Sequence, residues 1–66
     1  MPAEWTGDLV KKMHLNRVSN TELAAEMGVT KNYVGMLING VRDASKLRET
    51  MEAALERIIE RKAAIN

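Results

Sequence analysis

Few residues of this chain can carry out acid–base or nucleophilic chemistry. His14 is the only histidine, cysteine is absent, and no serine-histidine-acid arrangement can be identified around that histidine. Glu22 and Glu26 are four positions apart, so a helix would bring both carboxylates to one face, where a solvated surface is favoured over a metal or acid–base pair. We therefore expect no enzymatic activity, no metal and no cofactor.

The positive charge is concentrated in one segment, although the net charge is only +1. Residues 31–48 contain four basic residues and one acidic residue, whereas residues 1–30 and 49–66 each contain one more acidic than basic residue. A local excess of basic residues favours binding to a polyanion, and a solvated basic surface is the alternative. If the chain has a binding site for a polyanion, it should lie in this segment.

The composition favours one small helical domain covering all 66 residues. With no Phe and no disulfide, the core must be built from Leu, Ile, Val, Met and Ala, which indicates an all-α fold. The absence of cysteine fits a reducing compartment. We find no charged-then-apolar leader and no apolar run of about 20 residues, so we expect a cytoplasmic protein without a membrane segment.

The apolar pattern predicts four helices with short connections. Trp5, Leu9 and Met13 recur at a spacing of four and predict a first helix over about residues 4–15. Ser19 followed three positions later by Glu22 is a capping box that begins a second helix.

The short second and third helices are separated by a glycine. Gly28 stands where a left-handed cap would end the second helix, and Thr30 can cap the third. Asn39 and Gly40 end the third helix.

The last predicted helix is long for so small a domain. Ser45 is its expected N-cap, and it would extend about 30 Å to Ala64. Three isoleucines near its end therefore either form a homodimer interface or pack on Trp5 and the first helix: Ile58, Ile59 and Ile65.

Residues 18–40 resemble the helix-turn-helix of the lambda-repressor-like family (Cro/C1, Xre) of phage and bacterial regulators. The likeness lies in "TELAAEMGVTKNYVGMLING", with a Leu-Ala pair, a glycine at the turn, a hydroxyl at the next cap and a closing Asn-Gly. It implies a compact four-helix domain, with the helix-turn-helix at about 19–40 and the family's fifth helix absent or merged into the fourth. It also implies that the helix at about 31–39 enters the major groove of double-stranded DNA.

The resemblance implies that Lys31, Asn32 and Met36 face the bases. Asn can bond bidentately to adenine, Lys can reach guanine or a phosphate, and Met can touch a thymine methyl. Relatives often carry Gln at the positions of Asn20 and Met36, so no base preference follows.

Phosphate contacts are expected from residues near the helix starts and in the loop after the third helix. Thr30 has the alternative role of a cap and Asn20 that of a turn residue, while the ring of Tyr33 has the alternative of lying against the first helix. Gly35 is unusual within a helix, where glycine is unfavourable. It could allow the third helix to approach either the DNA backbone or a neighbouring helix, and the sequence does not distinguish the two. The full set of expected phosphate contacts is Asn20, Thr30, Tyr33, Arg42 and Lys46.

The resemblance therefore implies a transcriptional regulator, a repressor of phage or mobile-element type, that binds double-stranded DNA as a homodimer and has no evident small-molecule ligand. A protein-interaction module, such as an adaptor or an antitoxin-like partner, is the alternative, and it would use the apolar face of the last helix.

Overall fold

A computed structural model describes residues 4–65, and in this range the chain is helical without any strand. The elements are α1 (Glu4–Leu15), α2 (Asn20–Met27), α3 (Lys31–Ile38), a 3₁₀ turn (Ser45–Leu47) and α4 (Arg48–Ile65). The all-α prediction is confirmed, and the observed bounds of the first three helices agree closely with the predicted ones.

The predicted caps of α2 and α3 are present. The Ser19 Oγ accepts a hydrogen bond from the Glu22 backbone N at 3.1 Å, and the Glu22 Oε1 accepts one from the Ser19 backbone N at 3.2 Å. Gly28 ends α2 with a left-handed φ of 74°, and its N–H donates to the carbonyls of the preceding turn. The Thr30 Oγ1 accepts from the Tyr33 backbone N at 3.1 Å and so begins α3. Local side-chain and backbone hydrogen bonds thus determine where both short helices begin and where α2 ends.

The start of the last helix differs from the prediction. Ser45 lies in a 3₁₀ turn and does not cap α4, which begins three residues later at Arg48. The Asp43 Oδ1 instead accepts a hydrogen bond from the Ser45 backbone N at 3.0 Å. This bond, a second one from the Ser45 side chain and the nearby charge of Lys46 lower the pKa of the Asp43 carboxyl group. The prediction was wrong because the Ser45 hydroxyl bonds to the Asp43 carboxylate and not to the backbone of the following turn.

The core is formed where α4 packs mainly on α2, with smaller contacts to α1. Leu23 of α2, Val34 and Leu37 of α3, and Met51 and Leu55 of α4 are fully buried. Each buried aliphatic side chain stabilises the fold by about 1.5–3 kcal/mol. Two eight-residue helices, which are too short to be stable alone, are therefore held by contacts within this core.

Ile58 and Ile59 of α4 pack on the chain's own core. Ile58 is only 3% exposed and belongs to the core, so its assignment to a dimer interface is wrong. Ile59 is half-buried against the same core, and the side chain of Ile65 lies outside the described residues. The alternative, in which these residues pack on α1, describes only part of the packing. The helix α4 does contact α1, but its contacts with α2 are more extensive.

Ion pairs tie α4 to the outer end of α2. The Arg57 Nε lies 2.9 Å from the Glu26 Oε2, and an Arg61 guanidinium nitrogen lies 2.6 Å from its Oε1. Hydrogen bonds from Arg57 and then from Arg61 lower the pKa of Glu26. Because Glu26 stands in the last turn of α2, where a carboxylate interacts unfavourably with the helix dipole, the two arginines compensate for that position.

Neutralising Glu26 should destabilise the fold in a pH-dependent manner. The folded-state pKa lies below the ordinary value of 4.5, so the ionised carboxylate stabilises the fold above about that pH. This stabilisation disappears as the pH falls through the lowered pKa. Glu26→Gln should therefore lower the thermal midpoint by a few degrees at pH 7, and the difference from wild type should shrink as the pH is lowered towards 3.

Thermal unfolding followed by circular dichroism at several pH values measures this difference. Glu60→Gln is the matched control, because Glu60 is exposed and makes no ion pair with the described residues. A Glu26→Gln midpoint that matches that of Glu60→Gln at every pH would show that the two ion pairs of Glu26 do not stabilise the fold.

A strained residue joins α1 to α2. Arg17 has a φ of 56°, a left-handed conformation that is unfavourable for a residue with a Cβ. The Lys62 Nζ donates to the Arg17 carbonyl oxygen at 2.9 Å and also lies 3.3 Å from the Glu22 carboxylate. The end of α4 therefore stabilises this connection.

Arg17→Gly should stabilise the protein by about 0.5–1 kcal/mol. Relief of about 1–2 kcal/mol of strain exceeds the destabilisation of about 0.4–1 kcal/mol that comes from the greater freedom of glycine in the unfolded chain. Urea denaturation measures the change, with Arg17→Ala as the control that removes the same side chain but retains the Cβ. An Arg17→Gly variant that is less stable than Arg17→Ala by about 0.4–1 kcal/mol would mean that the backbone at this position is not strained.

Candidate nucleic-acid interface

A shallow surface concavity of about 350 Å³ follows the outer side of α3. It brings together residues from the start of α2, from α3 and from the loop after α3. All three predicted base-reading residues and one predicted phosphate contact line it. The lining residues are Asn20, Lys31, Asn32, Gly35, Met36, Asn39 and Val41.

The two faces of α3 explain why these side chains are accessible. Val34 and Leu37 are fully buried and fix the rotation of the helix about its axis. Lys31 and Asn32 lie in the first turn after the N-cap and are exposed. Met36 follows Asn32 by four positions, on the same side of the helix, and is half-buried. The concavity thus presents an amine and a carboxamide near the start of α3 and a thioether one turn later.

Gly35 leaves space in the concavity. A Cβ built at this position would meet no atom within 4 Å, so no neighbouring helix of the described chain requires a glycine here. Of the two explanations left open by the sequence, close approach to a neighbouring helix therefore has no support in the described residues. The glycine costs the helix about 1 kcal/mol relative to alanine and widens a surface depression.

Sequence reasoning misses two residues of the concavity. The sequence identifies Asn39 only as a helix stop, and its N–H does donate to the Gly35 carbonyl oxygen at 2.9 Å, but its exposed side chain also lines the depression. Val41 belongs to a loop with no evident role, although it is 73% exposed. A lone aliphatic residue directly after Asn-Gly, among polar neighbours, is the available signal.

The predicted phosphate contacts do not all lie together. Asn20, at the start of α2, lines the concavity, and Thr30 is exposed at the start of α3. The Thr30 hydroxyl oxygen accepts from the backbone and keeps its hydrogen for donation. Tyr33 is half-buried and packs against the core, which agrees in part with the alternative role of its ring.

The two basic residues expected to bind phosphate lie outside the concavity. Arg42 is exposed and lines a separate depression of about 280 Å³ that also includes Asp43 and Ser45. Lys46 is exposed in the 3₁₀ turn. Because Asp43 has a lowered pKa and is ionised at neutral pH, it offsets part of the positive charge on this side.

The cations of the segment 31–46 are free of ion pairs within the described residues. Lys31, Arg42 and Lys46 have no carboxylate within salt-bridge distance, whereas four cations of α4 are paired with Glu22, Glu26 and Glu52. A lysine of α1 is likewise paired with a glutamate of α4. Lys11 and Arg17 of the described chain are also outside ion pairs, but Lys31 lines the concavity. This segment is therefore the better candidate for contact with an anionic partner, although Asp43 offsets part of its charge.

The described residues offer no cluster of metal ligands, that is, no group of three or more His, Cys, Asp or Glu side chains placed to hold a metal ion. Among the helices of residues 4–65, none combines the length and apolarity needed to cross a bilayer.

The geometry therefore defines an all-α domain with an open concavity along one short helix, lined by polar and apolar side chains and including Lys31. Comparison with family models, with curated proteins and with solved structures finds no match for this chain. The functional interpretation consequently depends on the arrangement of the chain's own residues.

Proposed function

We propose that the protein is a sequence-specific double-stranded DNA-binding regulator that reads the major groove with α3. The observation that carries this proposal is the concavity, which collects Lys31, Asn32 and Met36 on the exposed side of one helix. A helix with its side chains is about 10–12 Å across, and the major groove is about 12 Å wide. The size of α3 and the polar side chains at its start therefore suit insertion into that groove.

The three side chains offer complementary recognition chemistry. Asn32 is suited to bidentate hydrogen bonding with the N6 and N7 atoms of adenine. Lys31 reaches the guanine O6 and N7 atoms or a phosphate, and Met36 contacts a thymine methyl group. A good bidentate pair, such as the one expected for Asn32, is worth about 1–3 kcal/mol of discrimination, and the other contacts add to that selectivity.

Residues around the concavity would set the position of the helix on the DNA. Asn20 and Thr30 lie at the starts of α2 and α3, where backbone N–H groups and the helix dipole favour a phosphate. Arg42 and Lys46 follow α3 and supply unpaired charge, and the Tyr33 hydroxyl is a further donor. These contacts position the protein without carrying sequence information themselves.

The protein would act as a homodimer of the lambda-repressor-like type, and repress transcription by occupying a promoter. One small module buries about 600–1,000 Å² on DNA, so two modules with recognition helices about 34 Å apart would read a palindrome far more selectively. Because Ile58 is a core residue, the interface must use other surfaces. The setting would be the cytoplasm, and the activity would be binding without catalysis.

The protein-interaction module has less support. It relied on the apolar face of the last helix, and Met51, Ala54, Leu55 and Ile58 of that face are buried in the chain's own core. Such a module would need the core to open before a partner could bind.

Selection of the purified protein on a random duplex library tests the proposal. Wild type should enrich a palindromic motif, and a Lys31→Ala, Asn32→Ala double variant should not. If the Lys31 amine binds a phosphate, its removal should also reduce the slope of log affinity against log salt by about 1. Lys11→Ala is the matched control, because Lys11 is an exposed lysine on α1 without an ion pair among the described residues.

Enrichment by wild type and by Lys11→Ala, but not by the double variant, would support a sequence-specific dimer. If no motif is enriched, or if all three proteins bind DNA equally weakly, the regulator proposal is wrong.

Gly35→Ala should separate folding from DNA binding. The new Cβ meets open space, so the change should stabilise α3 by about 1 kcal/mol through helix propensity. It should also narrow the concavity and weaken binding to the selected duplex by about tenfold, the effect of about 1.4 kcal/mol of misfit.

Gly7→Ala is the control for this variant, because Gly7 is an exposed helical glycine of α1 with equally open space at its Cβ. Denaturation should show a similar gain for both variants, and fluorescence anisotropy with labelled duplex should show weaker binding only for Gly35→Ala. Equal affinities would exclude close contact between DNA and the backbone at Gly35.

A further inference from the structure

An exposed aliphatic side chain lines the concavity beside α3. Of the three large hydrophobic residues exposed among those described, Val10 and Leu15 belong to α1 and lie outside the concavity. Val41 is 73% exposed and lines it. Val41 does not belong to the core of the described chain. Only a binding partner could therefore cover its side chain.

The backbone holds Val41 next to the end of α3. Gly40 has a left-handed φ of 79° and turns the chain back. The Val41 backbone N then donates to the Met36 carbonyl oxygen at 3.0 Å, and the Arg42 backbone N donates to the same oxygen at 3.2 Å. Two hydrogen bonds to one carbonyl therefore fix the loop at the helix, so the position of Val41 is defined by the fold.

Met36 and Val41 give the concavity an apolar part. Lys31 and Asn32 occupy the first turn of α3, and Met36 lies about 6–8 Å further along the helix axis at about 1.5 Å per residue. A partner that fits the whole concavity must therefore offer polar atoms at one position and a small apolar group a few ångströms away. The base edges in the major groove present one such apolar group, the C5-methyl of thymine.

We propose that Val41, together with Met36, contacts the C5-methyl group of a pyrimidine and is a specificity-determining residue of the interface. This inference rests on the proposed DNA-binding function and assigns to the loop after α3 a role in base reading in addition to phosphate contact. Thymine and 5-methylcytosine present the same methyl group at the same place on the base edge. The shared chemistry is the methyl group, and the favoured source is thymine.

The test uses the duplex selected by the wild-type protein, with each thymine replaced in turn by deoxyuridine. This exchange removes one methyl group and leaves the hydrogen-bonding pattern of the base unchanged. When deoxyuridine stands at the contacted position of one half-site, wild type should bind the duplex about fourfold more weakly than it binds the unmodified duplex. This factor corresponds to the burial of one methyl-sized group. Val41→Ala should bind the unmodified duplex more weakly and show little sensitivity to deoxyuridine at that position.

Val10→Ala is the matched control, because it makes the same substitution at an exposed valine outside the concavity. It should keep the full sensitivity of wild type. In a second arm, 5-methylcytosine replaces the same thymine, with its partner adenine changed to guanine, and is compared with cytosine in the same context. A preference for 5-methylcytosine over cytosine that depends on Val41 would support the methyl contact. The base whose methyl group changes the affinity more, thymine or 5-methylcytosine, is the one that the protein recognises.

Binding that is unchanged by every deoxyuridine exchange would overturn the inference and leave the regulator function intact. The inference also fails if Val41→Ala retains the sensitivity of wild type, since another residue would then contact the methyl group. If no duplex is selected at all, the proposed function and this inference fall together, and that outcome is distinct from the other two. Circular dichroism of Val41→Ala checks that the exposed substitution has left the fold unchanged.

Discussion

Burial of the apolar side of α4 is the interaction on which the rest of the structure depends. Helices of eight residues are not stable alone in water, and α2 and α3 each have that length. Met51 and Leu55 of α4 enter the same core as Leu23 of α2 and Leu37 of α3. The long helix α4 therefore holds the two short helices α2 and α3 in fixed positions relative to each other. The buried residues of α3 in turn determine which side of that helix is exposed.

The helices and caps could be predicted because their signals are local. Ser19, Gly28 and Thr30 act on neighbouring backbone atoms, so their roles follow from spacing alone. The role of Ser45 was predicted wrongly because both its backbone N–H and its hydroxyl bond to the Asp43 carboxylate, and spacing does not reveal that partner. The left-handed Arg17 gave no signal, since its carbonyl oxygen is bound by Lys62, a residue of α4 that is distant in sequence.

The residue that the loop after α3 adds to the site was harder to predict than the residues on α3. The family resemblance indicated Lys31, Asn32 and Met36 as the exposed recognition residues, with Met36 one turn after Asn32, and the concavity does contain all three. The resemblance gave no means to place Val41, whose position depends on two hydrogen bonds to the Met36 carbonyl oxygen. The prediction for Ile58 failed for a related reason. An apolar stripe does not say which neighbour covers it, and here α2, which is distant in sequence, is the helix that α4 contacts most.

The distribution of charge separates the groups that hold the fold from those that are free to bind. Two arginines and a lysine near the end of α4 are paired with carboxylates of α2. The hydrogen bond from the Ser19 backbone, and to a smaller extent Lys62, lower the pKa of Glu22. Hydrogen bonds from Arg57 and Arg61 lower the pKa of Glu26. The cations between residues 31 and 46 have no such partners in the described chain. Exposed pairs contribute little each and are weakened by salt, whereas the apolar core is not. Added salt should thus weaken the attraction of the concavity for a polyanion much more than it weakens the fold, because the fold depends mainly on the burial of α4.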